Sequence, residues 1–302
     1  MIPLDVLQNN IRKAFSGDEE VLHLLLVALI SGGHILIEDV PGVGKTTLAK
    51  ALAKSISATF ARVQFTPDLL PSDILGISIY SPKNQDFIFK KGPIFSHILL
   101  ADELNRTSPR TQSALLEAMN EGQVTVDGNT YPLDKPFMVL ATQNPMGFDG
   151  TYSLPEAQLD RFFMKIHLGY PKRELEREIL GRIKRDATLD LKPVLDLKDV
   201  LVMQDEAEKV EVHNDLISYI LDIVEKTRHL SSFLGISPRG ALALKKASQS
   251  YAYLQGRNYV IPDDIRKMAI PVLAHRLIPK DFHHPKGEDA LREILDTLPC
   301  PK

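Results

Sequence analysis

Asp39-Val40-Pro41-Gly42-Val43-Gly44-Lys45-Thr46-Thr47 is the stretch on which the fold turns. It follows directly on a β-type run, His34 to Ile37, and leads directly into a helical run, Leu48 to Ile56. Strand, glycine loop and helix in that order make the cradle that a nucleoside triphosphate requires. Gly42 and Gly44 let backbone N–H groups turn inward around phosphates, and the helix N-terminus adds its positive dipole end. The nucleotide-binding candidates are therefore Pro41, Gly42, Val43, Gly44, Lys45, Thr46 and Thr47. Lys45 would reach the β- and γ-phosphates, and the Thr46 hydroxyl would hold Mg²⁺. The usual loop opens with a further glycine; here Asp39 stands in that place, and Asp tolerates turn conformations better than most residues.

Outward from this loop, short apolar β-type runs alternate with helical runs as far as Leu168: Ala61 to Phe65, His97 to Ala101, Phe137 to Ala141 and Phe163 to Leu168. Several are too continuously apolar for half-exposed strands, which predicts a mostly parallel sheet covered by helices on both faces, an α/β layer fold. From Tyr170-Pro171 onward the apolar spacing is helical. Leu175, Ile179 and Ile183 share one face, and Leu216, Ile217, Ile220, Ile223 and Val224 another. Ser237-Pro238 offers an N-cap and first-turn pair, and Pro262 with Asp263 and Asp264 opens a further helix. The expected organisation is a nucleotide-binding α/β core over 1–168 and an all-helical lid over 169–302. At roughly 100–200 residues per domain, 302 residues suit two domains.

Composition narrows the function classes. Hydrophobic residues are 44% and charged residues 25%, the mix of a globular chain with a sizeable core. With 36 Lys and Arg against 39 Asp and Glu the net charge is −3, so no global basic field attracts a polyanion. The single cysteine, Cys300, excludes an intramolecular disulfide and a cysteine metal cluster, which fits a reducing cytoplasm. Met1-Ile2-Pro3-Leu4-Asp5 lacks the pattern of a secretion signal. Val21 to Ile30, the most apolar segment, falls short of the roughly 20 residues of a membrane span and reads as a buried helix closed by Ser31-Gly32-Gly33. His283-His284 lacks the further ligands of a metal site.

A second chemical signal is Ile98-Leu99-Leu100-Ala101-Asp102-Glu103, an apolar strand ending in two acids. Alone it reads as a solvated turn. Beside a phosphate loop, Asp102 sits where a Mg²⁺-associated carboxylate is expected, and Glu103 where a base or orienter for an attacking water is expected, which points to hydrolysis. No Asn-Lys-X-Asp guanine-recognition motif is present.

From Leu99 through Arg106 and on through Thr111-Gln112-Ser113-Ala114-Leu115-Leu116-Glu117-Ala118-Met119 the sequence resembles the MoxR family of AAA+ ATPases. Ala141-Thr142-Gln143-Asn144-Pro145, Leu154-Pro155-Glu156-Ala157-Gln158-Leu159-Asp160-Arg161-Phe162 and Ser237-Pro238-Arg239 extend the resemblance in the family's order. The resemblance implies that Asn144 is the sensor-1 residue at the γ-phosphate or attacking water, Arg161 an arginine finger given to a neighbouring subunit, and Arg239 the sensor-2 arginine of the lid. On the residues alone, Asn144 also reads as a turn before Pro145, Arg161 as an ion-pair partner of Asp160 or Glu156, and Arg239 as a solvated first-turn residue.

The resemblance further implies a homo-oligomeric, hexameric ring and client proteins with von Willebrand factor A domains. Leu70 to Pro93, with little helical periodicity, looks like the helix-2 insert of this branch, and Val124 to Tyr131 reads as a β-hairpin around Asp127-Gly128. Both are candidates for remodelling contacts or for packing within the ring. The implied function is ATP-driven assembly, maturation or activation of protein complexes. Two alternatives are a nucleic-acid motor, disfavoured because Val124 to Leu133 holds no Lys or Arg, and a magnesium-chelatase-type ATPase subunit.

Overall fold

The structure, a computed structural model, describes residues 4–40, 42–143, 152, 154–170, 173, 176–177, 188–280 and 287–301. The runs carrying Leu175, Ile179 and Ile183 and the pair His283-His284 lie outside the described residues. The chain forms two compact units. The first is Met1–Leu22, Leu36–Leu154 and His167–Val200, and the second is His23–Ile35, Pro155–Ile166 and Leu201–Lys302.

The five apolar runs form one sheet. Its strands are β1 (Ile35–Glu38), β2 (Phe60–Gln64), β5 (Ile98–Asp102), β8 (Met138–Gln143) and β9 (Met164–Ile166), in the order β2-β5-β8-β1-β9. Their ends differ from the expected ones by one or two residues. β5 pairs in parallel with β2 on one side, Gln64 opposite Asp102, and with β8 on the other, Ala101 opposite Ala141. Ile98, Leu99, Leu100 and Ala101 are fully buried, as are Val139, Leu140 and Ala141. That two-sided burial explains why these strands read as unbroken apolar runs. β2, at the sheet's edge, alternates instead, with Val63 buried while Arg62 and Gln64 are exposed. Glu19–Ile30 is the expected buried helix, and it ends where Gly33 N–H reaches back to Ala28 O over 2.8 Å. Among the described residues no helix is long and apolar enough to cross a membrane.

Residues 70–93 fold as a short helix, Pro71–Leu75, followed by an antiparallel hairpin of β3 (Gly76–Ser81) and β4 (Asp86–Lys91). Ile77, Ile79 and Ile88 are exposed on one face, and Tyr80 and Phe87 on the other. With apolar side chains on both faces the segment lacks the polar alternation that marks a strand in sequence. The second hairpin, β6 (Gln123–Val126) with β7 (Asn129–Pro132), turns through Asp127 and Gly128, both at positive φ (51° and 77°). The Phe89 ring stacks on Tyr131 with centroids 4.2 Å apart, which joins the two hairpins.

In the second unit the helices include Asn214–Arg228, Pro238–Leu254, Pro262–Leu273 and Gly287–Thr297, with one two-residue ladder between Phe233–Leu234 and Ile278–Pro279. Ser237 caps Pro238–Leu254 by accepting the Gly240 N–H at 3.3 Å. Asp264, 2% exposed, closes the start of Pro262–Leu273 by accepting the Ile261 N–H at 2.9 Å. The same carboxylate takes both Arg257 Nη atoms, at 2.8 and 2.6 Å. Removing Arg257 strands a buried carboxylate, so Arg257→Ala is expected to cost about 3 kcal/mol, read as a lowered urea midpoint for the second unit.

Candidate functional site

The helix Lys45–Ser55 begins at Gly44, whose φ is 94°, and no side chain caps it. Its first N–H groups therefore lack the partner that Ser, Thr, Asp or Asn would supply, and an anion can take that place. Gly42 also holds a left-handed φ, 91°, with open space where a Cβ would stand, so conformation and not crowding demands glycine there. Asp39, by contrast, is absent from the positive-φ positions, which removes the need for the family loop's first glycine. Its side chain has other partners: Oδ2 accepts the backbone N–H of Leu168 and, at 3.0 Å, that of Gly169.

Lys45 is 8% exposed, and its ammonium donates to the Asp39 carbonyl at 2.6 Å. Burial lowers its pKa from the ordinary lysine value, while Asp39, Asp102 and Glu103 oppose that shift. Gly42, Gly44, Lys45, Thr46 and Thr47 form one wall of a cavity of about 350 Å³, and Arg62, Gln64, Asp102 and Glu103 form the other. This volume lies in the range of small-molecule clefts, about 300–1,000 Å³.

The facing wall is built by strand register. Asp102 ends β5, and Thr142 lies buried near the end of β8. The Thr142 hydroxyl donates to Asp102 Oδ1 at 2.7 Å and accepts the Glu103 N–H at 2.8 Å. Glu103 adopts a left-handed φ of 58°, uncommon for a residue with a side chain, and the Thr142 bridge helps hold that turn. Asp102 Oδ2 accepts Arg62 Nη2 at 2.7 Å and Nε at 3.2 Å. Glu103 Oε2 accepts Gln64 Nε2 at 2.8 Å and Arg106 Nη1 at 2.9 Å. Both carboxylates are thus neutralised by this chain's own donors.

The cavity brings together Gly42, Gly44, Lys45, Thr46, Thr47, Asp102 and Glu103. Val43 is buried in the same loop, and Pro41 and Asn144 lie outside the described residues. Arg161 and Arg239 belong to the second unit: Arg161 follows the short helix Glu156–Leu159, and Arg239 is exposed in the first turn of Pro238–Leu254. Asp160 pairs with Arg276 at 2.8 Å, and no ion pair joins Arg161 to Asp160 or Glu156. Sequence reading missed Arg62, Gln64 and Thr142. The first two alternate on an edge strand, and the register opposite Asp102 that gives them meaning is a tertiary fact.

The chemistry available here is binding of a phosphate chain by a buried ammonium and an uncapped helix, with a hard-cation donor set of one hydroxyl (Thr46) and one carboxylate (Asp102) that suits Mg²⁺. Comparison with known proteins agrees. Residues 34–164 match the family model described as "ATPase family associated with various cellular activities (AAA)", and residues 224–295 match that of the AAA lid domain. Sheet, lid and matches define an AAA+ ATPase, an enzyme that hydrolyses ATP.

The chain is 41% identical over 278 residues to Chaperone MoxR1 of Mycobacterium tuberculosis, covering 89% of this chain and 74% of that protein. It is 50% identical over 297 residues to YeaC of Bacillus subtilis, an uncharacterized protein, covering 97% and 93%. A crystal structure from Cytophaga hutchinsonii, of a protein assigned as an ATPase, superposes with a TM-score of 0.89 at 39% identity over 99% of this chain and 95% of that one. The chain belongs to the MoxR family.

A triphosphate beside Lys45 restores the charged form that burial disfavours. Nucleotide binding is therefore expected to take up protons in alkaline buffer, and affinity to fall as pH rises through the lowered Lys45 pKa. Calorimetry in buffers of different ionisation enthalpy measures this uptake. Lys45→Arg, which stays charged throughout, should abolish it, and uptake unchanged in that variant would assign the proton elsewhere.

Proposed function

We propose that this ATPase is a chaperone-like factor that spends ATP hydrolysis on assembling, maturing or activating protein complexes. The observation that carries the site assignment is the single cavity in which buried Lys45 and the uncapped helix face Asp102 and Glu103. In this reading residues 1–168 are the nucleotide-binding core and 169–302 the lid. Pro41 to Thr47 wrap the phosphates, with Lys45 at the β- and γ-phosphates. Thr46 and Asp102 hold Mg²⁺, which when bound neutralises phosphate charge and orients the chain of phosphates.

Glu103 accepts a proton from water as the water oxygen bonds to the γ-phosphorus, and ADP departs with the electrons of the broken P–O bond. For that step Glu103 gives up its bonds to Gln64 and Arg106, and Arg62 releases Asp102. Thr142, bonded to both, keeps the two acids in register throughout. Asn144 orients the attacking water, Arg239 closes over the nucleotide of its own subunit, and Arg161 serves that of the next subunit.

Such sharing requires a homo-oligomeric ring, six subunits in this reading, working in the cytoplasm. The client is a protein, by family analogy one with a von Willebrand factor A domain. The β3–β4 and β6–β7 hairpins are the proposed contacts, supported by exposed Ile77, Ile79, Ile88 and Phe87.

Lys45→Ala is expected to abolish nucleotide binding. Glu103→Gln should bind ATP while losing about 10²–10⁴ in turnover, as removal of a general base does. A pull-down with that variant and ATP should retain the client. Arg161→Ala should bind ATP yet hydrolyse it about 10³–10⁵ more slowly, and recover when Glu103→Gln subunits supply the arginine in mixed rings. Intact mixed rings without recovery would overturn the shared site.

A further inference from the structure

Within the second unit, one buried cation organises the segment that carries Arg161. Arg276 is 6% exposed. Its Nε donates to Asp160 Oδ1 at 2.8 Å, and its Nη atoms donate to the carbonyl oxygens of Phe162 at 2.6 Å, Phe163 at 3.1 Å, Asp160 at 3.3 Å and Val272. His275, also buried, bonds through Nε2 to the Phe162 carbonyl at 3.1 Å. A carbonyl accepts only, so the ring carries its proton on Nε2. Burial and the adjacent Arg276 push the His275 pKa well below the ordinary histidine range, which keeps the ring neutral.

The carbonyls of residues 160, 162 and 163 are thus all claimed by Arg276 or His275, and the Phe162 and Phe163 side chains are buried. Between them, the Arg161 guanidinium has no hydrogen-bond or ion-pair partner among the described residues. A fixed backbone with one unclaimed cation on it is the arrangement a presented arginine needs, because a clamped Cα restricts where the guanidinium can go.

The second oxygen of Asp160 links this clamp to Arg239. Oδ2 accepts the Ser237 hydroxyl at 3.2 Å, and Ser237 is the N-cap of the helix on which Arg239 is the second residue. Gly240 lies against Arg276, whose Cδ would stand 3.2 Å from a Cβ built there. One carboxylate therefore touches both the cation that clamps the Arg161 segment and the helix start that carries Arg239. The charge of Arg239 is felt at Arg276, where it adds to the effect of burial in lowering the pKa and opposes Asp160.

We propose that Asp160 and Arg276 form a positioning pair for Arg161, fixing the backbone from which that arginine acts in ATP hydrolysis and tying it to the cap of the Arg239 helix. Neither residue of the pair lines the cavity. This inference rests on Arg161 being the hydrolytic arginine.

The test is a double-mutant cycle on kcat in the assembled protein, with ATP affinity and thermal unfolding measured alongside. Asp160→Asn keeps the shape and loses the charge, and it should lower kcat about 10–100-fold, the scale of an ångström-level misplacement, with ATP affinity unchanged. In the Arg161→Ala background the same substitution should lower kcat by less than twofold, since the arginine whose backbone the pair fixes is gone and the Arg239 helix keeps its Ser237 cap. Asp160→Glu, which restores the charge, should recover most of the loss. Equal fold losses with and without Arg161 would make Asp160 a structural residue only and overturn the pair, and so would an Asp160→Asn enzyme with full kcat. Arg161→Ala with undiminished kcat would instead overturn the assignment of Arg161 itself, and the pair with it. Where Asp160→Asn fails to assemble, Arg276→Lys, which keeps the cation and loses the fork to four carbonyls, is read in the same cycle with the same expected pattern.

Discussion

The site depends on one register. Gln64 stands opposite Asp102 on one side of β5, and Ala101 stands opposite Ala141 on the other, which brings Thr142 beside the two acids. A slip of one residue in β2 or β8 would turn its side chains to the other face of the sheet, and Arg62, Gln64 and Thr142 would all lose Asp102 and Glu103. The buried apolar run of β5 enforces the register, since Ile98 to Ala101 are excluded from water on both faces. Core packing and acid placement are therefore one constraint.

Charge inside the cavity follows from the same placement. Lys45 is held buried on a carbonyl of its own loop, against the cost that burial imposes on a cation. The acids across the cavity lessen that cost, and they are in turn neutralised by Arg62 and Arg106 at the ends of short bonds. The resting arrangement is thus a set of ion pairs that nucleotide and metal would exchange for stronger ones, with Thr142 holding the acids while the partners change.

Much of this was legible in the sequence. The glycine loop, the sheet strands and the acid pair were readable because a buried parallel strand such as β5 or β8 writes itself as a continuous apolar run, the edge strand β2 keeps the alternation of a half-exposed one, and a phosphate loop needs glycine at fixed places. The Asp127-Gly128 hairpin was readable from its turn, which demands positive φ at both residues. Asp39 looked like a defect of the loop, whereas its φ needs no glycine and its carboxylate holds the Leu168-Gly169 backbone. The β3–β4 hairpin hid because both its faces are apolar, so period-two alternation never appears. Asp160 and Arg276 stand far apart in the chain, and no local pattern announces a pair made by folding.

The central claim is that a triphosphate and Mg²⁺ enter between the Gly42–Thr47 wall and the Asp102–Glu103 wall by displacing Arg62 from Asp102. The most direct measurement is a crystal structure of the Glu103→Gln protein with ATP and Mg²⁺. The account predicts phosphates on the N–H groups of Gly42 to Thr47, metal shared by Thr46 and Asp102, and Arg62 withdrawn from Asp102. Nucleotide bound elsewhere, or bound here with the Arg62–Asp102 pair intact and the metal held by other residues, would contradict it.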